Sequence, residues 1–520
     1  MHIFFRVDAS LTAGVGHVMR CLTLAGELRN SGATVSFISR ENSGNFCDLI
    51  EEKGFLLYRL SAPSARDAVF ESFPVHASWL GAPWLDDARQ TLAILTAQAE
   101  KPAWLVVDHY AIDQRWEYLV APAVTRLMVI DDLADRFHQC DLLLDQNLVA
   151  GFETRYAGKV PSTCGLLLGP KYALLQNDYL KQRKRSVVSR DAVRRIFVFF
   201  GGADRENLTA RSISAFLTLD RPEIELDVVL GTSHPYADAI RLLVEGHKNI
   251  HLHRNLSSLA TLMGQADLAM GAGGTASWER LCLGLPTLVV TLADNQRPIA
   301  AELHQRKLIL WLGDQDEVDE SVFASALREL IEGWPQNHLH SGSEYVDGLG
   351  ARRVCTAMCI DSSTVLRVRR ANFADEFLLL EWANDPATRA NAFTSSHITP
   401  QAHARWFQGY MQNTKDCHLY IVETDEGDPI GQVRFEYAKD AWTVDYSLAP
   451  VLRGRGLGNH LLNAALLQLD AEVRDVRDAL VIGKVKSGNL ASRKVFESLG
   501  FLAEHDGAGH VKYTRRSQSF

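Results

Sequence analysis

The sequence predicts an α/β protein of three successive units, two with parallel sheets and a third, smaller one. Three observations carry this. Through the first 360 residues, short apolar runs of strand character alternate with helical stretches, the pattern of parallel strands joined by crossover helices. Strand candidates run into glycine turns at Gly14 and Gly16, at Gly201 and Gly202, and at Gly273 and Gly274. From residue 365 a further set of six strand candidates begins. A chain of 520 residues is also too long for one ordinary core, so two to four domains are expected.

In the first unit the strand candidates are residues 3–7, 34–39, 104–107, 127–130 and 142–144. After the first of them, Val18, Cys21, Leu22, Ala25 and Leu28 recur at helical spacing, which puts His17 at a helix start. The run Lys181-Gln-Arg-Lys-Arg185 reads as a solvated linker before a fresh strand. A boundary is therefore expected near residue 190, giving units 1–190 and 191–360. The second unit has strand candidates at 196–200, 226–230, 268–270, 287–290 and 308–311, and closes in a helix around 351–359. Asp361-Ser-Ser-Thr364 is a polar joint. The third unit, 365–520, has candidates at 366–369, 419–422, 431–435, 443–448, 479–482 and 511–514.

Composition excludes several classes. The chain is 47% apolar and 22% charged, as globular proteins are. A formal net charge of −9 argues against general nucleic-acid binding, which needs a basic surface. The eight cysteines, at 21, 47, 140, 164, 282, 355, 359 and 417, form no Cys-x-x-Cys. Reduced thiols fit better than a disulfide framework or a zinc site. No signal-peptide pattern and no membrane-spanning apolar run stands out, so a cytoplasmic location is expected.

The glycine turns carry the chemistry. Helix N-termini offer unpaired amides to anions, glycine lets a ligand approach the backbone, and histidine exchanges protons near neutral pH. Arg6-Val-Asp-Ala-Ser-Leu-Thr-Ala-Gly-Val-Gly-His17-Val-Met-Arg20 is thus a place to hold a sugar nucleotide and activate water. It is not the dinucleotide fingerprint, because Gly-x-Gly is followed by His-Val-Met. Phe199-Phe-Gly-Gly-Ala-Asp204 can point amides at a diphosphate, as can Gly271-Ala-Gly-Gly-Thr-Ala-Ser-Trp-Glu279. Glu279, about a turn and a half into the second of these helices, can accept bonds from two ribose hydroxyls. Asp108 and His109 end a strand, and either line the cleft or support the chain turn. Asp314-Gln-Asp316 has the minimal Asp-x-Asp metal pattern in an acidic stretch, but the chemistry needs no metal and none is expected.

The string around His17 resembles the opening of the UDP-sugar hydrolases of pseudaminic acid biosynthesis. Val107-Asp-His-Tyr-Ala-Ile-Asp-Gln-Arg-Trp116, Ile130-Asp-Asp-Leu-Ala-Asp135, Asp145-Gln-Asn147 and Leu168-Gly-Pro-Lys-Tyr-Ala-Leu-Leu175 extend the likeness over most of residues 1–360. It implies two Rossmann-like domains of glycosyltransferase-B type, with UDP gripped by the second and His17 brought to the sugar by the first. It implies His17 as base, with Gly14, Gly16 and Arg20 beside the substrate. Glu279 resembles the ribose-binding glutamate of two-domain UDP-sugar glycosyltransferases, and Asn295 and Gln296 match a pair that faces the sugar. Amide dipoles would hold the diphosphate while water attacks the opposite face, which inverts the anomeric centre.

In the third unit, residues 444–448 read as a strand, followed by Arg453-Gly-Arg-Gly-Leu-Gly458 and a helix with Leu461, Leu462, Ala465, Leu466 and Leu469. Arg453-x-x-Gly456-x-Gly458 is a pyrophosphate-binding turn at a helix start, with arginine charge added. Asn489-x-x-Ser492-x-x-x-Phe496-x-x-x-Gly500-Phe501 gives a capped helix with a glycine stop. The two elements together resemble the GNAT acetyltransferases over roughly 365–516. The resemblance implies acetyl-CoA on Arg453, Gly454, Arg455, Gly456, Leu457 and Gly458, with pantetheine along Tyr446 to Leu448 and with Asn489 and Ser492 beside the cofactor. Many members carry tyrosine at position 496 as acid to the leaving thiolate; Phe496 cannot donate. Tyr446 and Ser492 are the candidate acids, Glu436 and Asp445 the candidate bases. His397, His403, Trp406 and Phe407 could line an acceptor pocket, with packing the alternative for the last two.

The two halves fit one pathway: acetylation of the C4 amine of a UDP-linked sugar, then removal of UDP from the diacetamido product. Consecutive steps on one chain keep the intermediate locally concentrated. Small-molecule UDP-sugars are the expected partners. Three other readings fit the same residues: a glycosyltransferase that passes the sugar to an acceptor, a nucleotide- or CoA-binding module without turnover, and acetylation of a different amine.

Overall fold

The computed structural model describes residues 1–62, 73–185, 192–202, 204–231, 234–254, 256–333, 342–473, 480–505 and 509–516. The boundary expected near 190, Ala203 of the second glycine phrase and the strand start expected at 479 lie outside the described residues. Contacts divide the chain into two units, Met1–Cys355 and Thr356–Phe520.

The first unit holds two sheets. One has β1 (His2–Val7), β2 (Thr34–Arg40), β3 (Leu56–Leu60), β4 (Trp104–Asp108), β5 (Arg126–Ile130), β6 (Leu142–Asp145) and β7 (Gly165–Leu168), in the order β3-β2-β1-β4-β5-β6-β7. The other has β8 (Arg195–Phe199), β9 (Glu225–Leu230), β10 (Ile250–Arg254), β11 (Leu268–Ala272), β12 (Thr287–Thr291) and β13 (Leu310–Asp314), in the order β10-β9-β8-β11-β12-β13. Every strand pair in both is parallel. Both are doubly wound Rossmann-like sheets, the fold class read from the sequence. Their order reverses between β1 and β4 and between β8 and β11. Ligands of open α/β sheets bind at the carboxyl ends of the strands at such reversals.

Parallel strands buried on both faces read as continuous apolar runs, and Trp104, Leu105, Val106 and Val107 of β4 are all buried. The helix after β1, α1 (Gly16–Asn30), buries Val18, Cys21, Leu22, Ala25 and Leu28, the periodic set read from the sequence.

The second unit has a seven-stranded sheet of β14 (Leu366–Arg370), β15 (Cys417–Thr424), β16 (Pro429–Ala438), β17 (Ala441–Leu448), β18 (Leu480–Lys486), β19 (Leu502–His505) and β20 (His510–Arg516). The order is β14-β15-β16-β17-β18-β20-β19, antiparallel except for the β17–β18 pair. Its core gathers Phe407, Tyr420, Val433, Phe435, Leu461, Leu462, Leu469 and Phe496.

Several expectations need correction. Lys181 to Arg185 is not a linker but the end of a helix, Asn177–Arg185. Arg183 in that helix donates to the carbonyls of Cys282, Ser343 and Val346, and these bonds hold the charged run against the second sheet's helices. The sequence reading missed β3, β7, β10 and β19, and set β13 two residues early. All four missed strands lie at sheet edges. Two of them, β10 (Ile-His-Leu-His-Arg) and β19 (Leu-Ala-Glu-His), carry no continuous apolar run, as an edge strand need not, whereas β3 and β7 do carry one. The eight cysteines are free thiols, with Cys140 and Cys164 Sγ atoms 3.6 Å apart. Among the described residues no helix is long and apolar enough to cross a membrane.

One buried cluster sets a pH dependence. His138, 3% exposed, lies 2.7 Å from Glu117 and 3.8 Å from Asp131. Burial disfavours its charged ring, but the two carboxylates outweigh this and push its pKa up to about 9. A raised histidine binds more protons folded than unfolded between pH 6.5 and 9. Its contribution is therefore complete below pH 6.5 and is lost as pH climbs through 9, on the order of 3 kcal/mol. Denaturant melts of Met1–Cys355 signals at pH 6 and 9 should show this loss, and His138→Gln should flatten it.

Candidate functional site

The loop after β1 and the end of β4 meet at the first reversal of strand order. His17, the second residue of α1, is 8% exposed, and Asp108 closes β4 fully buried. His17 Nδ1 lies 2.6 Å from Asp108 Oδ1. A carboxylate only accepts, so Nδ1 is the donor in this bond, and Nε2 is the ring nitrogen not engaged by Asp108. Arg20, one turn along α1, donates to both Asp108 oxygens at 2.6 Å and to Asp132 at 2.8 Å. Burial alone would raise the Asp108 carboxyl. Arg20 and His17 outweigh it and hold Asp108 well below the usual carboxylate range, so it stays ionised.

Of the two readings left open for the strand end, Asp108 faces His17, whereas His109 supports the turn. His109 Nδ1 accepts from the Ala111 amide at 3.0 Å and its Nε2 lies 3.4 Å from Asp8. Asp8 is itself fixed by Arg6 at 2.5 Å and by the Arg40 amide at 2.7 Å. The N-cap position of α1, Val15, makes no side-chain cap bond, and Gly14 (φ +75°) and Gly16 have open space where a side chain would stand. The α1 start thus offers amides that no side chain caps.

Sequence reasoning missed the aromatic residues beside His17. Tyr110 meets its ring edge-on at 4.5 Å, and His76 and Trp79 follow at 5.6 and 5.9 Å from Tyr110. Tyr110 stood inside the Val107-to-Trp116 phrase and could have been found there. His76 and Trp79 carry no periodic or motif signal.

The second reversal brings Gly201 and Gly202, after β8, beside Gly273 and Gly274, after β11. Gly201 (φ +98°) and Gly202 have free space at their Cβ positions, and a Cβ on Gly231 would sit 2.1 Å from the Gly202 carbonyl oxygen. The helix that follows, Leu208–Leu217, is not open to phosphate: Asp204 already accepts from the Leu208 and Thr209 amides at 2.9 Å. The helix after β11, α2 (Thr275–Cys282), has no such cap. Gln296 packs over the Gly273–Gly274 turn, while Asn295 is exposed. Glu279 is half-buried and accepts from the Tyr179 hydroxyl, and burial raises its pKa against that bond. Arg205, near β8, donates to the Leu11 carbonyl near β1, so the two loop systems touch. Asp314 pairs with Arg297 at 2.7 Å and accepts from Thr291, and among the described residues no group of three His, Cys, Asp or Glu could hold a metal.

In the second unit β17 and β18 pair only from Ala441 to Val444, opposite Leu480 to Gly483. Beyond this the strands part, and Tyr446 to Leu448 keep a partner only on β16. Their other backbone edge has no strand partner, though the Leu448 carbonyl accepts from Arg453 at 3.5 Å. A Cβ on Gly483, at the parting point, would meet the Phe496 ring at 2.4 Å, so Phe496 fills the apex. Tyr446 donates to Ser492 Oγ at 3.1 Å, and burial pushes its pKa up to about 12. Gly454 (φ +74°) and Gly456 (φ +77°) are open, and Gly458 lies against Val495, 3.0 Å from a Cβ, where α3 (Leu457–Val473) passes α4 (Leu490–Ser498). The Arg453 guanidinium is engaged by Asp385 and Thr388, which leaves its charge partly spent. Asn489 accepts from the Ser492 amide and caps α4.

Glu436 and Asp445 are exposed on one face, the latter paired with Arg434 at 3.1 Å. Burial and Asp445 raise the Glu436 pKa. His403 and Phe407 are buried, Trp406 is half-buried with Arg434 over its ring at 5.7 Å, and His397 is exposed. Phe407 belongs to the core, the packing alternative noted above.

Residues 365–502 match the family described as Acetyltransferase (GNAT) domain. The C-terminal unit carries a GNAT domain. The chain is 23% identical over 527 residues to the uncharacterized protein MJ1062 of Methanocaldococcus jannaschii, covering 98% of each. Its N-terminal part is 26% identical over 307 residues to the UDP-2,4-diacetamido-2,4,6-trideoxy-beta-L-altropyranose hydrolase of Campylobacter jejuni, covering 59% of this chain and 97% of the relative. Among solved structures, MurG of Acinetobacter baumannii aligns at a TM-score of 0.47 and 15% identity, over 69% of this chain and 99% of that one.

Proposed function

We propose that the chain is a bifunctional enzyme of nonulosonic (pseudaminic) acid synthesis, with units 1–190, 191–360 and 365–520, working in the cytoplasm. Its GNAT domain acetylates the 4-amine of a UDP-amino sugar, and its N-terminal part hydrolyses UDP-2,4-diacetamido-2,4,6-trideoxy-β-L-altrose to UDP and free sugar. The observation that carries the hydrolase half is the Asp108–His17 pair at an uncapped helix start. Asp108 holds the imidazole by Nδ1, which turns Nε2 to the water. That nitrogen takes a proton from water as the water attacks the anomeric carbon, while amides of the α1 and α2 starts and of Gly201 and Gly202 stabilise the departing diphosphate. Glu279 takes the ribose, and Arg20, Asn295 and Gln296 lie toward the sugar.

For the second half, the parted β17 edge and the open 454–456 turn fit an acyl-CoA. Bound acetyl-CoA supplies an activated acetyl group. The chain's own work is to hold pantetheine along Tyr446 to Leu448, to hold phosphates on the 453–458 turn, and to give a proton to sulfur from the Tyr446 hydroxyl, with Ser492 behind it. The decisive experiment follows UDP release from the UDP-diacetamido sugar by wild type and His17→Ala, with the product read by NMR. Release of free sugar that depends on His17 supports the reading. A folded wild type that binds UDP yet releases it only when a sugar acceptor is supplied overturns it in favour of glycosyl transfer.

A further inference from the structure

His76 and Trp79 belong to a turn that the hydrolase chemistry does not use. The turn is pinned from behind: Leu80 is 1% exposed, and Gly81 (φ +72°) sits so close that a Cβ there would lie 2.2 Å from Asn42 Oδ1 and 3.1 Å from the Arg40 side chain. This fixed base leaves His76 and Trp79 only half-buried. Their rings lie 4.3 Å apart, and both reach Tyr110, whose ring touches His17. The three rings therefore form one contiguous aromatic cluster that ends against His17 of the histidine–carboxylate pair. Burial lowers the pKa of His76, which favours its uncharged ring beside Trp79.

We infer that His76, Trp79 and Tyr110 form an aromatic wall that receives the apolar face of the sugar, a pyranose bearing methyl groups, and so sets which UDP-sugars reach His17. The inference rests on the hydrolase reading for its substrate. A 2,4-diacetamido-6-deoxy sugar presents three methyl groups, one on C6 and two in the acetamides. Aromatic faces select such a sugar over a hydroxyl-rich one by covering those methyls. On the hydrolase reading the uridine lies with Glu279 on the second sheet's side, so the wall faces the sugar and not the base.

The test compares Trp79→Ala and Trp79→Phe by KM for the UDP-diacetamido sugar and by Kd for UDP alone. Trp79→Ala should raise KM about tenfold, the loss of one aromatic contact, with UDP affinity within about twofold and most of the effect restored by phenylalanine. An unchanged KM, or equal losses for sugar nucleotide and UDP, overturns the wall. The same titrations in a His17→Ala background, read by tryptophan fluorescence, keep the two readings apart. A wild type that does not hydrolyse but shows a Trp79-dependent signal with the sugar nucleotide and not with UDP removes the hydrolase reading and keeps the wall. Hydrolysis indifferent to Trp79 does the reverse.

Discussion

Asp108→Asn should lower kcat for UDP release by roughly 10³–10⁴ and leave KM nearly unchanged, because the carboxylate touches the histidine and not the substrate. An amide in its place turns a nitrogen donor toward Nδ1 as readily as an oxygen acceptor. The imidazole then loses the bond that keeps the proton on Nδ1, and Nε2 is no longer the free base. His17→Ala should fall by a comparable factor, and the double variant should fall little further, since the two residues act as one device. Asp108 is a positioning residue, so a merely structural role must be separated from this one. Arg20 donates two bonds to Asp108 and one to Asp132. Losing the carboxylate leaves a buried guanidinium short of charge, at a cost of about 3–5 kcal/mol of stability. Kinetics on protein that keeps its UDP affinity would show the fall in kcat alone. If Asp108→Asn instead raises KM with kcat intact, the dyad is not the catalytic device.

How far the sequence exposed this site depends on which residues share an element. His17 and Arg20 lie on one helix turn, so the string from Arg6 to Arg20 announces them together. Asp108 lies 91 positions away and was legible only as a strand end with two possible roles; the parallel pairing of β1 with β4 decides between them. The parallel sheets were legible wherever strands run buried on both faces. Four edge strands were missed: β10 and β19 carry no apolar run, while β3 and β7 are short apolar runs that nothing else in the sequence marked as strands. The charged stretch at 181–185 misled because charge marks a solvated face, and the exception, Arg183, is paired with carbonyls that only the fold brings near. The Leu208–Leu217 helix offered a similar trap. A glycine turn before a helix suggests an anion site, yet Asp204 in the same phrase occupies the helix amides. Trp79 was invisible for the opposite reason: nothing in its neighbourhood repeats, and its partner Tyr110 arrives from another strand end.

In the GNAT unit, Tyr446→Phe should lower kcat for acetyl transfer by about 10²–10³ while the Kd for acetyl-CoA moves little. The argument begins with what position 496 cannot do. Phe496 has no proton to give, and its ring fills the apex where β17 and β18 part, against Gly483 and stacked on Tyr513 at 5.2 Å. The hydroxyl that many relatives place on this helix is therefore missing, but the Tyr446 ring meets Phe496 edge-on at 5.9 Å, and its hydroxyl reaches Ser492 on the same helix. On the proposed reading, Tyr446 gives the proton from the strand side of the gap instead. A pKa raised to about 12 keeps the phenol protonated through the neutral range, as an acid must be, and the Ser492 oxygen orients it. Ser492→Ala should cost less, about three- to tenfold, because it removes the orienting partner and not the donor. Phe496→Tyr in the Tyr446→Phe background offers the sharper test. Restored turnover would mean that either side of the gap can protonate the thiolate. A Tyr446→Phe enzyme as fast as wild type would mean that the thiolate leaves unassisted, and that Tyr446 serves only to line the pantetheine channel.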